Sequence, residues 1–133
     1  MNNQWLILPI LLQFILTFII WITMYRTRIN LIKKERIHPQ NLTNRQQTAT
    51  RLAAAAGPAD NFSNQFELPV IFYVTLIVFI STQWAGWFEF YIALIFVLLR
   101  GVHAFIHITY NRVRHRFYAY VVSSVFMWLL VAT

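Results

Sequence analysis

The sequence predicts an all-α membrane protein, folded as a four-transmembrane-helix bundle. Of its 133 residues, 59% are hydrophobic and only 11% are charged, against roughly 25% charged in an average soluble domain. A soluble domain of this size buries only about two-thirds of its surface, so it could not keep 12 Phe, 6 Tyr and 5 Trp away from water. The apolar residues instead fall into four long runs, each near the ~20 residues that cross a bilayer core as a helix.

Four helices are expected in order along the chain, at about 5–25, 59–82, 88–111 and 117–132, within one domain that covers residues 1–133. A polar and basic connection, about 26–58, separates the first two. No Lys or Arg precedes the first run and no A-x-A cleavage site follows it, which favours an uncleaved helix over a signal peptide. Pro58 suits the first turn of the second helix, and Pro69 should bend that helix locally.

The charge predicts the orientation in the membrane. The net charge is +7, with seven Lys and Arg in the first connection, none in the second and three in the last. Basic connections stay on the cytoplasmic side, so both termini are expected outside. Because these residues flank apolar runs and form no basic stripe on a water-exposed element, we exclude nucleic acid as a partner. The same charge bias, with no acidic residue in the first helix, disfavours a dual-topology drug exporter.

Polar side chains inside the apolar helices are the candidates for a site, because a charge in the hydrocarbon core costs roughly 2.5–3.5 kcal/mol. At about 100° per residue, one face of the third helix and one face of the second collect such residues. They are Arg100, His103, His107, Asn111 and Arg114 on the third helix, and Asp60, Asn64 and Glu67 on the second. Both stripes lie near the predicted cytoplasmic surface, so we expect them to meet.

Three interpretations of these stripes remain open. Glu67 could pair with Arg100 or a histidine and only hold helices together. Alternatively, the stripes form a site for an anionic ligand, with arginine for carboxylates and Glu67 for an amine. His103 and His107 have the i, i+4 spacing that can bind one metal ion, so a metal or haem protein is the third interpretation. No H-E-x-x-H motif is present and the chain has no cysteine, so we predict no metal. The lack of cysteine also means that any thiol must come from a substrate.

Two motifs in these stripes resemble a known family. The segment Asn64-Gln-Phe-Glu67-Leu-Pro69 is similar to its N-x-x-E followed closely by Pro, and Arg100-Gly-Val-His103-Ala-Phe-Ile-His107 is similar to its R-x-x-[HY]-x-x-x-Y. The family is that of membrane-associated proteins in eicosanoid and glutathione metabolism (MAPEG). Asp60 to Pro69 resembles the D/N-N-F-x-N-x-F-E-L-P segment of its bacterial branch. The resemblance covers nearly the whole chain.

The resemblance implies a homotrimer in the bacterial inner membrane, with glutathione as co-substrate between neighbouring subunits and a lipophilic small molecule entering from the membrane lipid. It implies that glutathione is bound by Asn64, Glu67, Arg100, His103, His107 and Asn111. An arginine after the third helix would stabilise the thiolate, and the motif spacing allows Arg116 or Arg114, of which we prefer Arg116. The implied function is a glutathione-dependent transferase or peroxidase; the alternative is a non-catalytic lipid-binding or partner-binding protein on the same scaffold.

The sequence departs from the glutathione-using members at two positions. Asp60 stands where those members commonly carry an arginine, and His107 stands where they usually carry a tyrosine that contacts glutathione. A carboxylate at position 60 repels the carboxylates of the tripeptide.

Overall fold

Helices make up almost all of the protein. A computed structural model describes residues 2–110 and 112–133, and this part of the chain contains no β-strand. Its α-helices are α1 (Ile7–Glu35), α2 (Arg45–Arg51), α3 (Ala56–Asn64), α4 (Leu68–Thr82), α5 (Trp87–Ile108) and α6 (Val113–Ala132), with short 3-10 turns at Asn3–Leu6, Pro39–Leu42 and Ala53–Ala55. Four stretches are long and apolar enough to cross a membrane: Asn3–Glu35, Ala53–Thr82, Trp87–Ile108 and Val113–Ala132.

The first helix is longer than the sequence analysis expected. It ends at Glu35 rather than near residue 25. Arg36, the residue directly after it, adopts a left-handed conformation with φ 52°. The apolar run does end near Tyr25, but the basic residues that follow have good helix propensity and continue the same helix. The connection after it is also partly helical: the Asn44 side chain accepts a hydrogen bond from the Gln47 N–H at 2.8 Å and begins α2, as N-cap residues do.

The second span is broken rather than continuous. Helix α3 ends at Asn64, residues 65–67 form a turn, and α4 begins at Leu68. Pro69 therefore lies in the first turn of a new helix, where its missing N–H costs nothing. The sequence predicted a bend in a continuous helix at Pro69. The structure instead has a complete break, at residues 65–67, just before the turn that contains Pro69.

The polar stripe predicted on the third helix also crosses a helix boundary. We expected the third helix to reach residue 111, but α5 ends at Ile108. Helix α6 begins at Val113, four residues before the expected 117. Arg114 therefore belongs to α6 and does not share a helix face with His103.

The apolar core lies in the half of the bundle that is farther from the basic connections. Helix α5 packs closely on α6, and α4 covers this pair, with the Phe72 and Phe96 rings stacked at 4.6 Å. The core comprises Leu6, Leu68, Phe72, Leu76, Phe79, Ala85, Ile92, Ala93, Phe96, Val97, Met127 and Leu130. Helix α1 leaves large side chains such as Leu11 and Phe18 exposed, as expected for a surface in contact with lipid or another subunit. Polar side chains are consequently concentrated at the other, basic end.

Candidate functional site

A polar cavity of about 290 Å³ opens between α3, α5 and α6 at the basic end of the bundle. It is lined by Asp60, Asn64, His103, Val113, Arg116, Phe117 and Tyr120. Three of the predicted site residues, Asn64, His103 and Arg116, therefore meet in one place although they come from three different helices. Asp60, which the sequence analysis singled out as a departure, joins them.

The break after α3 is what presents Asn64 to this cavity. The last carbonyl groups of a helix lack partners within the helix, and here the Asn64 carbonyl oxygen accepts from the Glu67 N–H and from Nη2 of Arg100, both at 3.3 Å. A cation at a helix C-terminus is favourable. Arg100 on α5 therefore caps α3 and holds the end of α3 against α5.

Arg100 does not line the cavity but contacts two residues that do, Asn64 and Tyr120. Its side chain is 0% exposed, and its guanidinium carbon lies 5.5 Å from the centre of the Tyr120 ring, within the range of a cation–π contact. Its Nε and Nη1 atoms have no hydrogen-bond partner in the described part of the chain. Among the hydrogen bonds that Arg100 makes there, its partner is the main chain of Asn64, and the pairing with Glu67 that one interpretation of the sequence offered is not among them.

The two histidines on α5 occupy different positions. Both are buried and their ring centres are 5.8 Å apart. His103 lines the cavity, and its ring centre is 5.8 Å from that of Tyr120. His107 does not line the cavity and lies close to α3: its carbonyl oxygen is 3.5 Å from where a Cβ on Gly57 would sit. Within residues 2–110 and 112–133, no three His, Cys, Asp or Glu side chains converge in a way that could hold a metal ion.

Two further predicted site residues, Glu67 and Arg114, lie outside the cavity. Glu67 is exposed in the turn between α3 and α4, and Arg114 is exposed in the first turn of α6; neither lines the cavity. Asn111 lies outside the described residues. Of the two arginines that the motif spacing allowed, only Arg116 is part of the cavity wall, where it is half-buried.

Sequence reasoning found Arg116 but missed the other residues of α6 that line the cavity, which are Val113, Phe117 and Tyr120. Tyr120 lies one helical turn after Arg116, and Phe117 one turn after Val113, so the four residues share a face of α6. The spacing was available in the sequence, but aromatic residues are common in every span of this protein and this pair carried no distinguishing signal.

Sequence reasoning also missed a buried polar network that fixes the helix break. The Gln13 side chain on α1 donates through Nε2 to Oε1 of Gln65 at 2.9 Å, and Gln65 donates to the Asn61 carbonyl at 3.3 Å. Asn61 in turn donates to the Ala104 carbonyl on α5 at 3.3 Å, and the Thr17 hydroxyl donates to Gln65 at 3.3 Å. Buried amides need such partners. The network therefore joins α1, the turn after α3, and α5 directly beside the cavity.

A larger cavity of about 830 Å³ lies on the other side of α3, between α1, α2 and α3. Arg28 and Arg45 contribute to its walls, and Asp60 lines both cavities. Asp60 therefore stands on the boundary between the two.

Four apolar spans with a polar cavity between three of them define an integral, multi-pass membrane protein with a four-helix bundle. The chain belongs to the MAPEG family, whose family model matches residues 6–133, nearly the whole chain. This match confirms the resemblance seen in the two motifs. No curated protein and no solved structure gave a significant match.

Proposed function

We propose that the protein is a membrane enzyme of the glutathione transferase or peroxidase type, which uses glutathione or another low-molecular-weight thiol against a lipophilic electrophile or hydroperoxide. The observation that carries the proposal is the cavity in which Arg116, His103 and Asn64 meet. Membership in the MAPEG family supports a scaffold of this kind. Because a fold does not establish an activity, the residues of the cavity must account for the chemistry.

Arg116 has the charge and the position that thiol activation requires. A cation close to sulfur favours the thiolate over the thiol, and the thiolate is the nucleophile. The effect is stronger in a partly buried cavity than in water. Asn64 and His103 offer hydrogen bonds to the other polar groups of the thiol. Arg100 has a positioning role, because its bond to the Asn64 carbonyl fixes the end of α3.

Two reactions follow from a bound thiolate. With an electrophile, sulfur bonds to the electrophilic carbon and the leaving group departs with its electron pair. With a hydroperoxide, sulfur takes the terminal oxygen, the O–O bond breaks and the alkoxide takes a proton; a second thiol then releases water and leaves a disulfide. The wall of the cavity includes the exposed apolar side chains of Val113 and Phe117, which suits binding of a lipophilic substrate from the bilayer.

We also propose that the enzyme works as a homotrimer in a bacterial inner membrane, with the basic connections and the cavity on the cytoplasmic side. Glu67 is exposed and lies outside the cavity of its own chain, which suits a role toward a neighbouring subunit. The positive-inside rule supports the orientation, and the exposed apolar face of α1 supports contact with lipid or another subunit.

The test is thiol-dependent turnover by detergent-purified protein, measured with chlorodinitrobenzene and separately with an organic hydroperoxide. We expect turnover above the uncatalysed rate, a loss of about 100-fold in kcat for Arg116→Ala, and a change of less than about twofold for Arg114→Ala, since exposed residues away from a site contribute little. Unfolding curves in detergent would show that both variants are folded. A folded wild type without thiol-dependent turnover would contradict the proposal and favour the non-catalytic alternative.

A further inference from the structure

The position of Asp60 gives the cavity a feature that thiol activation does not explain. Asp60 lies one helical turn before Asn64, so both side chains project from the same face of α3. Asp60 and Arg116 line the same cavity, and the Asp60 side chain is exposed rather than buried in the bundle. A carboxylate is therefore open to whatever molecule occupies the space beside Arg116.

The charges around the cavity restrict that molecule. Among the described residues that line the cavity, Arg116 is the single guanidinium and Asp60 the single carboxylate. If the thiolate of the bound molecule lies beside Arg116, the charged side chain that faces the rest of the molecule is the Asp60 carboxylate. A carboxylate of the thiol beside Asp60 would be repelled, whereas an ammonium group there would be attracted and could donate charge-assisted hydrogen bonds.

We propose that the thiol substrate of this site is an aminothiol, with its sulfur beside Arg116 and its ammonium group beside Asp60. The inference rests on the thiol-dependent function proposed above and adds the chemical class of the thiol. Thiols that carry a carboxylate in place of the amine are poor substrates, and Asp60 is the residue that selects against them.

The experiment compares three small thiols that differ in one group: cysteamine with an amine, N-acetylcysteamine with a neutral amide, and mercaptopropionate with a carboxylate. In each reaction with chlorodinitrobenzene, sulfur bonds to the ring carbon, the C–Cl bond breaks, chloride leaves with the bonding pair and the thiol proton passes to buffer. Each kcat/KM is divided by the uncatalysed rate constant of the same thiol, which removes differences in intrinsic reactivity.

For the wild type we expect cysteamine to exceed N-acetylcysteamine by roughly two- to fivefold, the range that an exposed charge pair allows. Asp60→Asn should bring this ratio close to one, and Asp60→Lys should shift the preference to mercaptopropionate. Glu35→Gln is the matched control, because it removes an exposed carboxylate at the end of α1 that lines neither cavity. It should leave the ratio unchanged.

Each of the following results would overturn the inference. If the ratio of cysteamine to N-acetylcysteamine is the same in the wild type and in Asp60→Asn, Asp60 does not contact the thiol. If Asp60→Asn also loses stability while this ratio is unchanged, Asp60 instead interacts with the arginines of the larger cavity, Arg28 and Arg45. If the Asp60 variants do not fold, a wild-type ratio of one between cysteamine and N-acetylcysteamine decides against the inference. Turnover with all three thiols but no preference defeats this inference alone, whereas no turnover with any thiol, glutathione included, defeats the proposed function as well.

Discussion

The guanidinium of Arg100 donates through Nη2 to the carbonyl oxygen of Asn64 at 3.3 Å, so a fully buried cation on α5 holds the last turn of α3. The same residue leaves Nε and Nη1 without hydrogen-bond partners in the described part of the chain. A buried charge with incomplete hydrogen bonding contributes little net stability. We therefore infer that the main role of Arg100 is to position Asn64, rather than to stabilise the fold.

Arg100→Met separates these two contributions, because it removes the charge and keeps most of the volume. We expect the free energy of unfolding to change by less than about 1 kcal/mol, since the cost of desolvating the charge disappears together with its contacts. Thiol-dependent activity should fall about tenfold because the end of α3 is released. Unfolding in detergent and a turnover assay measure the two effects. A large loss of stability with full activity would show that Arg100 is only a structural residue.

The polar network around Gln65 predicts a coupled loss of stability. In Gln65→Leu, the buried amide of Gln13 loses its 2.9 Å partner, and an unsatisfied buried amide costs about 1–2 kcal/mol, with membrane values toward the lower end. Gln13→Leu should cost a similar amount, and the double variant should cost less than the sum of the two. Gln40→Leu, at an exposed position of the connection, is the control. Additive effects of the two buried variants would argue against a direct interaction.

Tyr120 is predicted to act through its ring rather than its hydroxyl. The ring lies 5.5 Å from the Arg100 guanidinium carbon and 5.8 Å from the His103 ring centre. Tyr120→Phe keeps the ring and should leave stability and turnover within about twofold of wild type, whereas Tyr120→Leu should lose about 1 kcal/mol of stability through the cation–π contact. Comparing the two unfolding curves checks this. Equal losses in both variants would instead assign the role to the hydroxyl.

The fold could be predicted from the sequence because hydrophobic run length and basic connections depend only on composition along the chain. The end of α1 could not, because helix propensity continues past Tyr25 where hydrophobicity stops. The break at residues 65–67 was placed only approximately. Pro69 signalled a disturbance there, but the buried Gln65 that stabilises the turn finds its partner on α1, far away in the sequence.

The candidate site was predicted only in part, because helical spacing relates residues only along one unbroken helix. Helical spacing correctly grouped Asp60 with Asn64, which share α3 and line one cavity. It grouped Glu67 with them by assuming a continuous helix, and the break after Asn64 leaves Glu67 exposed outside the cavity. It grouped Arg114 with His103 in the same way, although the two residues lie on different helices. Local periodicity gives the face of a residue only as far as the helix is unbroken.

Arg116 is expected to stabilise the thiolate of a bound thiol, and the ultraviolet absorbance of the thiolate measures this directly. The chain has no cysteine, so any thiolate signal comes from the added thiol. Purified protein would be titrated with glutathione and with cysteamine, at a pH at which each free thiol is protonated. We predict a saturable rise in thiolate absorbance with wild type and with Arg114→Ala, and none with folded Arg116→Ala. An undiminished rise in thiolate absorbance with Arg116→Ala would show that Arg116 does not stabilise the thiolate. No rise with wild type would show that the protein does not bind these thiols as thiolates.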